Sequence, residues 1–411
     1  IMTADEAKAK FKELKKPEDL ELLGNRNVKV PFYTLDGFTD FFYGRLVPST
    51  GYIRNFELVK YRKGIIVRFP HSSDPDVMPE YVEEYKMYDV FGETAAFNDI
   101  MGVSYLSDLN EKIETGEVTE LIELSEALQE KKVANIADMV KASGKRVILI
   151  AGPSSSGKTS FARRLSIQLK VLGLRPLYLC TDDYFVNRKD VPLDKNGEPD
   201  YEGLDAVDVK LFNDDMNKLL RGESADIPEF DFIEGKKIFG TRITAIDEEQ
   251  PILIEGIHAL NDELTPEIPM GEKFKIYISP FTLLGIDRHN RIPTTDVRML
   301  RRMARDVRTR GHSPKDTIKT WPSVRAGEDK NIFPYSNCAD VLFNSVHIYE
   351  LGVLKKYVYP LLEEISSDEP EYAEAQRLKV LLSFVNTIED DSCIVNNSIL
   401  REFIGGSVFV K

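Results

Sequence analysis

The sequence predicts an α/β protein with a doubly wound parallel sheet, preceded by a smaller region of α+β character. Two observations support this fold class. Strand-like and helix-like patterns alternate from residue 146 onward, and the first strand is apolar at every position from Val147 to Ile150. An unbroken apolar strand is typical of a sheet covered by helices on both faces.

The alternation can be followed along the chain. A helix from Lys158 to about Leu172 follows the first strand, and Gly173 ends it. Further strands are predicted at 176–181, 251–255 and 273–278. Because ligands of such sheets bind beyond the carboxyl ends of the strands, the residues that directly follow each strand are candidates for function.

Two other regions flank this sheet. The first has strand-like patterns at 28–33 and 65–69 and ends in a polar helical connector, which Ser143-Gly144 breaks. The last region reads as two helices and a short tail, and we expect it to pack on the protein or to form an oligomer surface. We predict three segments and a homo-oligomer; the segments span 1–140 with the connector, 141–365 with the sheet, and 366–411.

The composition excludes several classes of protein. With 411 residues, 42% of them hydrophobic and 30% charged, the chain is long enough for two or three folded domains. A formal net charge of −14 argues against non-specific nucleic-acid binding by the whole surface. Three widely spaced cysteines fit reduced thiols, and no apolar run is long enough for a membrane span. We therefore expect a cytoplasmic protein that does not bind membranes.

A glycine-rich motif, Gly152-x4-Gly157-Lys158-Thr159, joins the first strand to its helix. Glycines let backbone N–H groups close around phosphate oxygens, lysine reaches the β- and γ-phosphates, and the threonine hydroxyl ligates Mg²⁺. An ordinary glycine turn is the alternative. The motif predicts a P-loop NTPase fold that binds a nucleoside triphosphate. The residues of this phosphate loop are Gly152, Pro153, Ser154, Ser155, Ser156, Gly157, Lys158, Thr159 and Ser160.

Carboxylates follow two of the predicted strands. Asp182 comes directly after the second strand and is the candidate base that orients and deprotonates an acceptor hydroxyl; a helix cap or turn at Asp182-Asp183 is the alternative. Glu255 ends the strand at 251–255 and is the candidate Mg²⁺ partner, either directly or through a water. A solvent-exposed strand end would also explain it, and His258 fits a core position.

Six arginines lie between Asp296 and His312. At about 100° per residue, Arg298, Arg302 and Arg305 fall on one side of a helix, opposite its apolar residues. Guanidinium groups suit triphosphate oxygens and a transferring phosphoryl group. We expect Arg302, Arg305 and Arg310 to close over that group as a lid, whereas a solvated face or a nucleic-acid patch is the alternative.

The segment at 200–208 precedes a helix that Asp205 is expected to cap. Tyr201 and Glu202, an aromatic ring and a carboxylate, suit a sugar diol. Phe230 adds a further aromatic ring, although core packing explains this residue equally well.

Together these residues resemble the uridine kinase and phosphoribulokinase family over about 146–364. The resemblance implies ATP as donor, with Asp182 as the base and Phe185 and Glu202 against the nucleoside. It further implies that Glu255 serves the metal, that the lid is formed by residues 301–306 and 310–311, and that Asp340 lies near the adenine. Phe230 and Gly235 stand where uridine kinases read the base with tyrosine and histidine, and His312 replaces a lid arginine.

The predicted function is transfer of the γ-phosphoryl group of ATP to the 5′-hydroxyl of a nucleoside such as uridine or cytidine, with Mg²⁺. Two alternatives remain. The acceptor could be another small alcohol, as in phosphoribulokinases or pantothenate kinases. The chain could also be a tRNA-binding or regulatory P-loop NTPase.

The first region resembles the editing domain of threonyl-tRNA synthetases, in Asp36–Asp40 and in the stretch Val47–Leu58. Phe42 and Leu46 stand where the synthetases carry a cysteine and a histidine. The region before residue 146 contains one histidine, His71, and no cysteine, so a His/Cys centre cannot form within it. We expect a degenerate editing fold with a binding or structural role; tRNA would bind through this region if it binds at all.

Overall fold

The region before residue 146 folds into helices and two separate hairpins. The computed structural model describes residues 1–24, 26–71, 74–193, 197, 199–231 and 233–410. The elements are α1 (Ala4–Glu13), α2 (Pro17–Leu23), β1 (Phe32–Leu35), β2 (Phe38–Phe41), β3 (Glu57–Tyr61), β4 (Gly64–Arg68), α3 (Tyr85–Met101), α4 (Leu106–Thr115) and α5 (Val118–Ser143). β1 pairs with β2 and β3 with β4 in antiparallel hairpins. β4 coincides with the strand expected at 65–69, the strand expected at 28–33 begins only at Phe32, and the long helix α5 takes the place of the predicted connector.

A five-stranded parallel sheet follows, which confirms the predicted α/β class. The elements of this part are β5 (Val147–Ala151), α6 (Lys158–Val171), β6 (Leu177–Cys180), α7 (Val209–Leu220), β7 (Ala225–Asp226), β8 (Glu229–Asp231), β9 (Lys236–Ile238), β10 (Ile243–Thr244), β11 (Ile252–Glu255), β12 (Lys273–Ser279), α8 (Thr294–Thr309), α9 (Pro314–Asn331) and β13 (Val341–Asn344). The strand order of the sheet is β13-β12-β5-β11-β6, and each neighbouring pair is parallel.

The sheet is buried on both faces. Every residue of β5, β11 and β12 is buried, as expected for strands between two layers of helices. Register pairs Glu255 of β11 with Ile150 of β5 and with Cys180 of β6. The phosphate loop, the segment from Thr181 and the segment after Glu255 therefore leave the sheet along the same edge.

The cap of α7 differs from the sequence expectation. Asp205 lies in a short 3-10 helix, Leu204–Ala206, one turn before α7. Asp208 is the cap, and its side chain accepts a hydrogen bond from the backbone N–H of Leu211. The prediction for Asp205 was wrong because several aspartates precede this helix, and the backbone geometry decides which of them caps it.

The C-terminal region packs against the sheet domain and returns to it. Its helices are α10 (Glu350–Glu363), α11 (Tyr372–Ser383) and α12 (Arg401–Ile404). One buried apolar cluster contains Phe11, Ile136, Phe161, Leu381 and Phe403, and so runs across the predicted boundaries at 140 and 365. The three predicted segments thus share a core. In the described part of the chain, no helix combines the length and apolar character that crossing a bilayer needs.

The phosphate loop begins in close contact with the neighbouring strand, and this contact can be tested. In Gly152→Ala, the new Cβ would lie 2.0 Å from the carbonyl oxygen of Ile278. Forcing atoms into packed backbone costs about 1 to 3 kcal/mol, so we expect thermal denaturation of the full chain to show a lower melting temperature. Gly92→Ala is the control, because its Cβ would meet open space in α3 and alanine favours helix by up to about 1 kcal/mol. Equal melting temperatures would contradict the close contact.

Candidate active site

The phosphate loop presents hydrogen-bond donors that the protein itself does not use. Ser155 and Gly157 adopt left-handed backbone conformations, with φ of 60° and 88°, and these bend the loop tightly before α6 begins. The hydroxyl groups of Ser155 and Ser156 are buried and have no hydrogen-bond partner among the described residues. A buried hydroxyl without a partner is costly, so the loop is suited to an external acceptor such as a phosphate oxygen.

Lys158 lies folded back onto the loop. Its Nζ donates to the carbonyl oxygens of Gly152 at 3.0 Å and Pro153 at 3.4 Å. This position keeps the ammonium group beside the loop backbone. The ammonium and the two serine hydroxyls are thus three donor groups within the loop in which the motif predicts phosphates.

Thr159 and Glu255 meet at the carboxyl edge of the sheet, as their roles at a metal would require. The Thr159 hydroxyl donates to Oε1 of Glu255 at 2.8 Å, and the Tyr178 hydroxyl donates to the same oxygen at 3.0 Å. Oxygen donors of this kind are those that Mg²⁺ prefers. His258, three residues beyond Glu255, is buried, which lowers its pKa to about 4 and keeps it neutral.

Asp182 lies between acidic and basic neighbours. Burial and the nearby carboxylate of Glu255 raise the pKa of Asp182 to about 6, while Lys158 and Arg310 act in the opposite direction. The carboxyl group is therefore ionised near neutral pH, yet it is a stronger base than an ordinary aspartate. Such a group suits proton acceptance.

The three predicted lid arginines all form ion pairs with one buried carboxylate. Asp306 is fully buried and pairs with Arg302 Nε at 3.2 Å, Arg305 Nη2 at 2.8 Å and Arg310 Nε at 3.6 Å. Arg302 also donates from Nη1 to the Ser154 hydroxyl of the phosphate loop at 3.0 Å. The structure thus brings these arginines beside the phosphate loop. Arg310 lies directly after the end of α8.

Arg298 has a different environment from Arg302 and Arg305, with which the helical spacing grouped it. It is buried, pairs with Glu328 of α9 on its Nη2, and donates from Nε to the Ser154 carbonyl oxygen at 3.1 Å. Arg301 is likewise buried and pairs with Glu350 at 2.6 Å. Both guanidinium groups hold elements together inside the protein, because the helix lies between α9 and α10 and has little exposed surface on this side.

The four predicted acceptor residues differ in their contacts and in how far they are buried. The rings of Phe185 and Phe230 lie edge to face with centroids 5.9 Å apart. Glu202 is half-buried; burial raises its pKa, which the neighbouring Arg302 lowers in part. Asn331 of α9 donates to the Glu202 carbonyl oxygen at 2.8 Å and fixes the backbone there. Tyr201 is 46% exposed, so its ring is the least enclosed of the four.

Asp340 requires a correction. It precedes β13, and its carboxylate accepts from the backbone N–H of Lys275 and pairs with Lys145 at 3.1 Å. Lys145 lies two residues before β5, so Asp340 is tied toward the amino edge of the sheet, away from the phosphate loop. The expected position beside the adenine was wrong because Asp340 lies just before the start of β13 and not after its end.

Two carboxylates contact the phosphate loop although no pattern in the sequence predicted these contacts. Glu328 Oε1 accepts from the backbone N–H of Ser154 at 2.9 Å. Glu402, near the C-terminus, accepts from the backbone N–H of Ser160 at 3.2 Å and from its hydroxyl at 2.7 Å. Both are far from the loop in sequence and belong to no motif, so only the folded chain could reveal them.

Comparison with known proteins assigns this part of the chain. Residues 147–351 match the phosphoribulokinase / uridine kinase family. The uridine kinase of Bacillus pumilus is 31% identical over 197 residues, which are 48% of this chain and 84% of that protein. The chain belongs to this family. The uridine kinase of Deinococcus deserti is 27% identical over 197 residues, 48% of this chain and 86% of that protein.

The family assignment covers about half of the chain. A solved structure described as a possible uridine kinase from Bacillus stearothermophilus is 18% identical, covers 52% of this chain and 97% of that one, and has a TM-score of 0.35. The family match begins at residue 147. The likeness of the first region to an editing domain is not confirmed and remains a prediction.

The two classes of arginine on α8 differ in their expected effect on stability. Arg298→Met removes the fully buried partner of the Glu328 carboxylate, which keeps only the partly exposed Arg325 at 3.2 Å, and breaking a buried pair costs about 3 to 5 kcal/mol. In Arg302→Met, the carboxylate of Asp306 keeps its contact with Arg305. We therefore expect urea denaturation to give a much lower unfolding free energy for Arg298→Met than for Arg302→Met. The reverse order would show that Arg298 is not a structural residue.

Proposed function

We propose that the chain transfers the γ-phosphoryl group of ATP to the 5′-hydroxyl of a nucleoside such as uridine or cytidine. The observation that carries the proposal is the position of Asp182, a raised-pKa carboxylate at the carboxyl edge of the sheet beside Lys158, Arg310 and Glu255. Glu202 lies within electrostatic reach of Lys158 and Arg302 on the same side. The proximity of these charged groups supports a base, phosphate-binding cations and a polar acceptor segment at one site.

Asp182 performs the proton transfer in this proposal. Its carboxylate accepts the proton of the acceptor hydroxyl as the hydroxyl oxygen bonds to the γ-phosphorus, and the bond from that phosphorus to the bridging oxygen breaks to release ADP. A pKa of about 6 keeps Asp182 charged at neutral pH without making it a weak base.

The surrounding residues supply binding and charge. Lys158 and the loop donors hold the phosphates, while Arg302, Arg305 and Arg310 face the charge that spreads over the transferring group. Thr159 and Glu255 would hold Mg²⁺, which neutralises phosphate charge when bound. Phe185 and Phe230 offer an aromatic wall, and Glu202 offers acceptors for ribose hydroxyls.

A second acceptor class has support of its own. Arg188 donates its backbone N–H to the Gly235 carbonyl oxygen at 2.8 Å. An arginine therefore lies next to Gly235, one of the two positions that depart from the uridine kinase pattern. A cation beside the acceptor segment favours a small alcohol that carries a negative charge, such as a sugar phosphate.

For the first region we propose a structural role on a degenerate editing fold. The Tyr43 hydroxyl donates to Asp296 in the first turn of α8 at 3.3 Å, and Phe41 packs on Phe384 with ring centroids 5.5 Å apart. The first contact supports the helix that carries the lid arginines, and the second reaches the end of α11, so this region would act on the site through Asp296 of α8.

Asp182→Asn is expected to lower the transfer rate by about 10²- to 10⁴-fold, because the amide cannot accept the proton. Titration with ATP should give an unchanged dissociation constant, since the phosphate donors remain. The assay is formation of labelled monophosphate from a panel of nucleosides and labelled ATP. Asp190→Asn, which changes an exposed carboxylate nearby, is the control and should retain full activity.

The panel also separates the two acceptor classes. Phosphorylation of sugar phosphates alone would replace the nucleoside proposal with the second one. Substantial turnover by Asp182→Asn would remove Asp182 from the role of base.

The pH profile gives an independent test. Because Asp182 must be ionised to accept a proton, we expect kcat/KM to fall tenfold per pH unit below a midpoint of about 6. ATP binding, measured by titration over the same range, should not follow this midpoint. An acid limb near the ordinary aspartate pKa of about 4 would contradict the environment described for Asp182.

A further inference from the structure

The C-terminal cap segment, residues 398–404, covers one side of the phosphate loop. Glu402 is only 7% exposed, and its carboxylate accepts from the backbone N–H of Ser160 at 3.2 Å and from the Ser160 hydroxyl at 2.7 Å. Ile399 packs against Gly157, where a Cβ would lie 2.4 Å from Ile399 Cγ2. The segment therefore occupies space directly above the start of α6.

The carboxylate of Glu402 takes the place of an external anion. Ser160 lies in the first turn of α6, whose N–H groups have no acceptor within the helix. Such a helix start attracts negative charge, so a carboxylate and a phosphate group compete for the same two donors. Within the described ranges, the Glu402 side chain forms no ion pair and accepts hydrogen bonds from the two donors of Ser160.

The cap segment is also tied to the lid helix. Arg308, near the end of α8, donates to the Glu402 carbonyl oxygen at 3.0 Å, and the Arg301 guanidinium lies over the Phe403 ring at 5.0 Å. Movement of the segment away from Ser160 would therefore disturb the end of α8. The cap segment therefore contacts both the phosphate loop and the helix that carries the lid arginines.

We propose that Glu402 is an internal competitor of the nucleotide, and that the cap segment restrains phosphate binding until this carboxylate leaves Ser160. The proposal rests on the triphosphate site of the proposed function and adds its regulation. ATP binding breaks the two Ser160 hydrogen bonds to Glu402, and the free energy of breaking them reduces the apparent affinity.

The test is Glu402→Gln, which keeps the size of the side chain and removes its charge. Hydrogen bonds to a charged acceptor are about twice as strong as neutral ones, so we expect ATP and inorganic tripolyphosphate to bind about tenfold more tightly in calorimetric titration of the full chain. Glu364→Gln, at an exposed carboxylate of the same region, is the matched control and should bind like the unaltered protein.

The outcomes separate the cap from the site itself. Unchanged or weaker ATP binding in Glu402→Gln, with the control unchanged, would overturn the competition and leave the nucleotide site intact. If neither ATP nor tripolyphosphate binds to any of the three proteins, the proposed function fails together with its regulation.

A measurement on the unaltered protein tests the proposal even if Glu402→Gln does not fold. If Glu402 is displaced, saturating ATP increases amide hydrogen exchange in residues 398–404. Increased protection of this segment by ATP would overturn the proposal, because it would mean that the segment closes on the nucleotide.

Discussion

The charged side chains that α8 carries into the interior determine how the rest of the site is assembled. An unpaired buried charge costs several kcal/mol, so each of these side chains must meet an opposite charge. Arg298 meets Glu328 of α9, and Arg301 meets Glu350 of α10. Glu328 in turn accepts the backbone N–H of Ser154, which links the phosphate loop to the same set of pairs.

This arrangement gives the site a balanced electrostatic character. Asp306 holds the lid arginines on one side, while Asp182 and Glu255 lie near Lys158 on the other. Groups fixed in advance by such partners need little reorganisation when charge develops during a reaction, which is the main electrostatic contribution of protein sites. The same pairs hold the arginines beside the loop.

Local patterns in the sequence predicted the parallel sheet, the phosphate loop and the residues that follow its strands. These features depend on neighbours within one strand or one helix turn. Long-range features could not be predicted in this way. The helical spacing grouped Arg298 with Arg302, but the partner that buries Arg298 comes from α9. Glu402 reaches the loop from 242 positions further along the chain, and the edge on which Asp340 lies depends on where β13 starts.

The contact between Ser160 and Glu402 joins residues that are 242 positions apart, and this distance has a consequence for biosynthesis. Chains grow from the N-terminus at about 5 to 20 residues per second, so the helix that begins at the loop is made roughly 10 to 50 s before the segment that covers it. During this interval the nascent protein carries an anion-attracting helix start with no carboxylate of its own at Ser160. Free nucleotide in the surroundings would meet that uncovered start first, and could support folding of the sheet before the chain is finished.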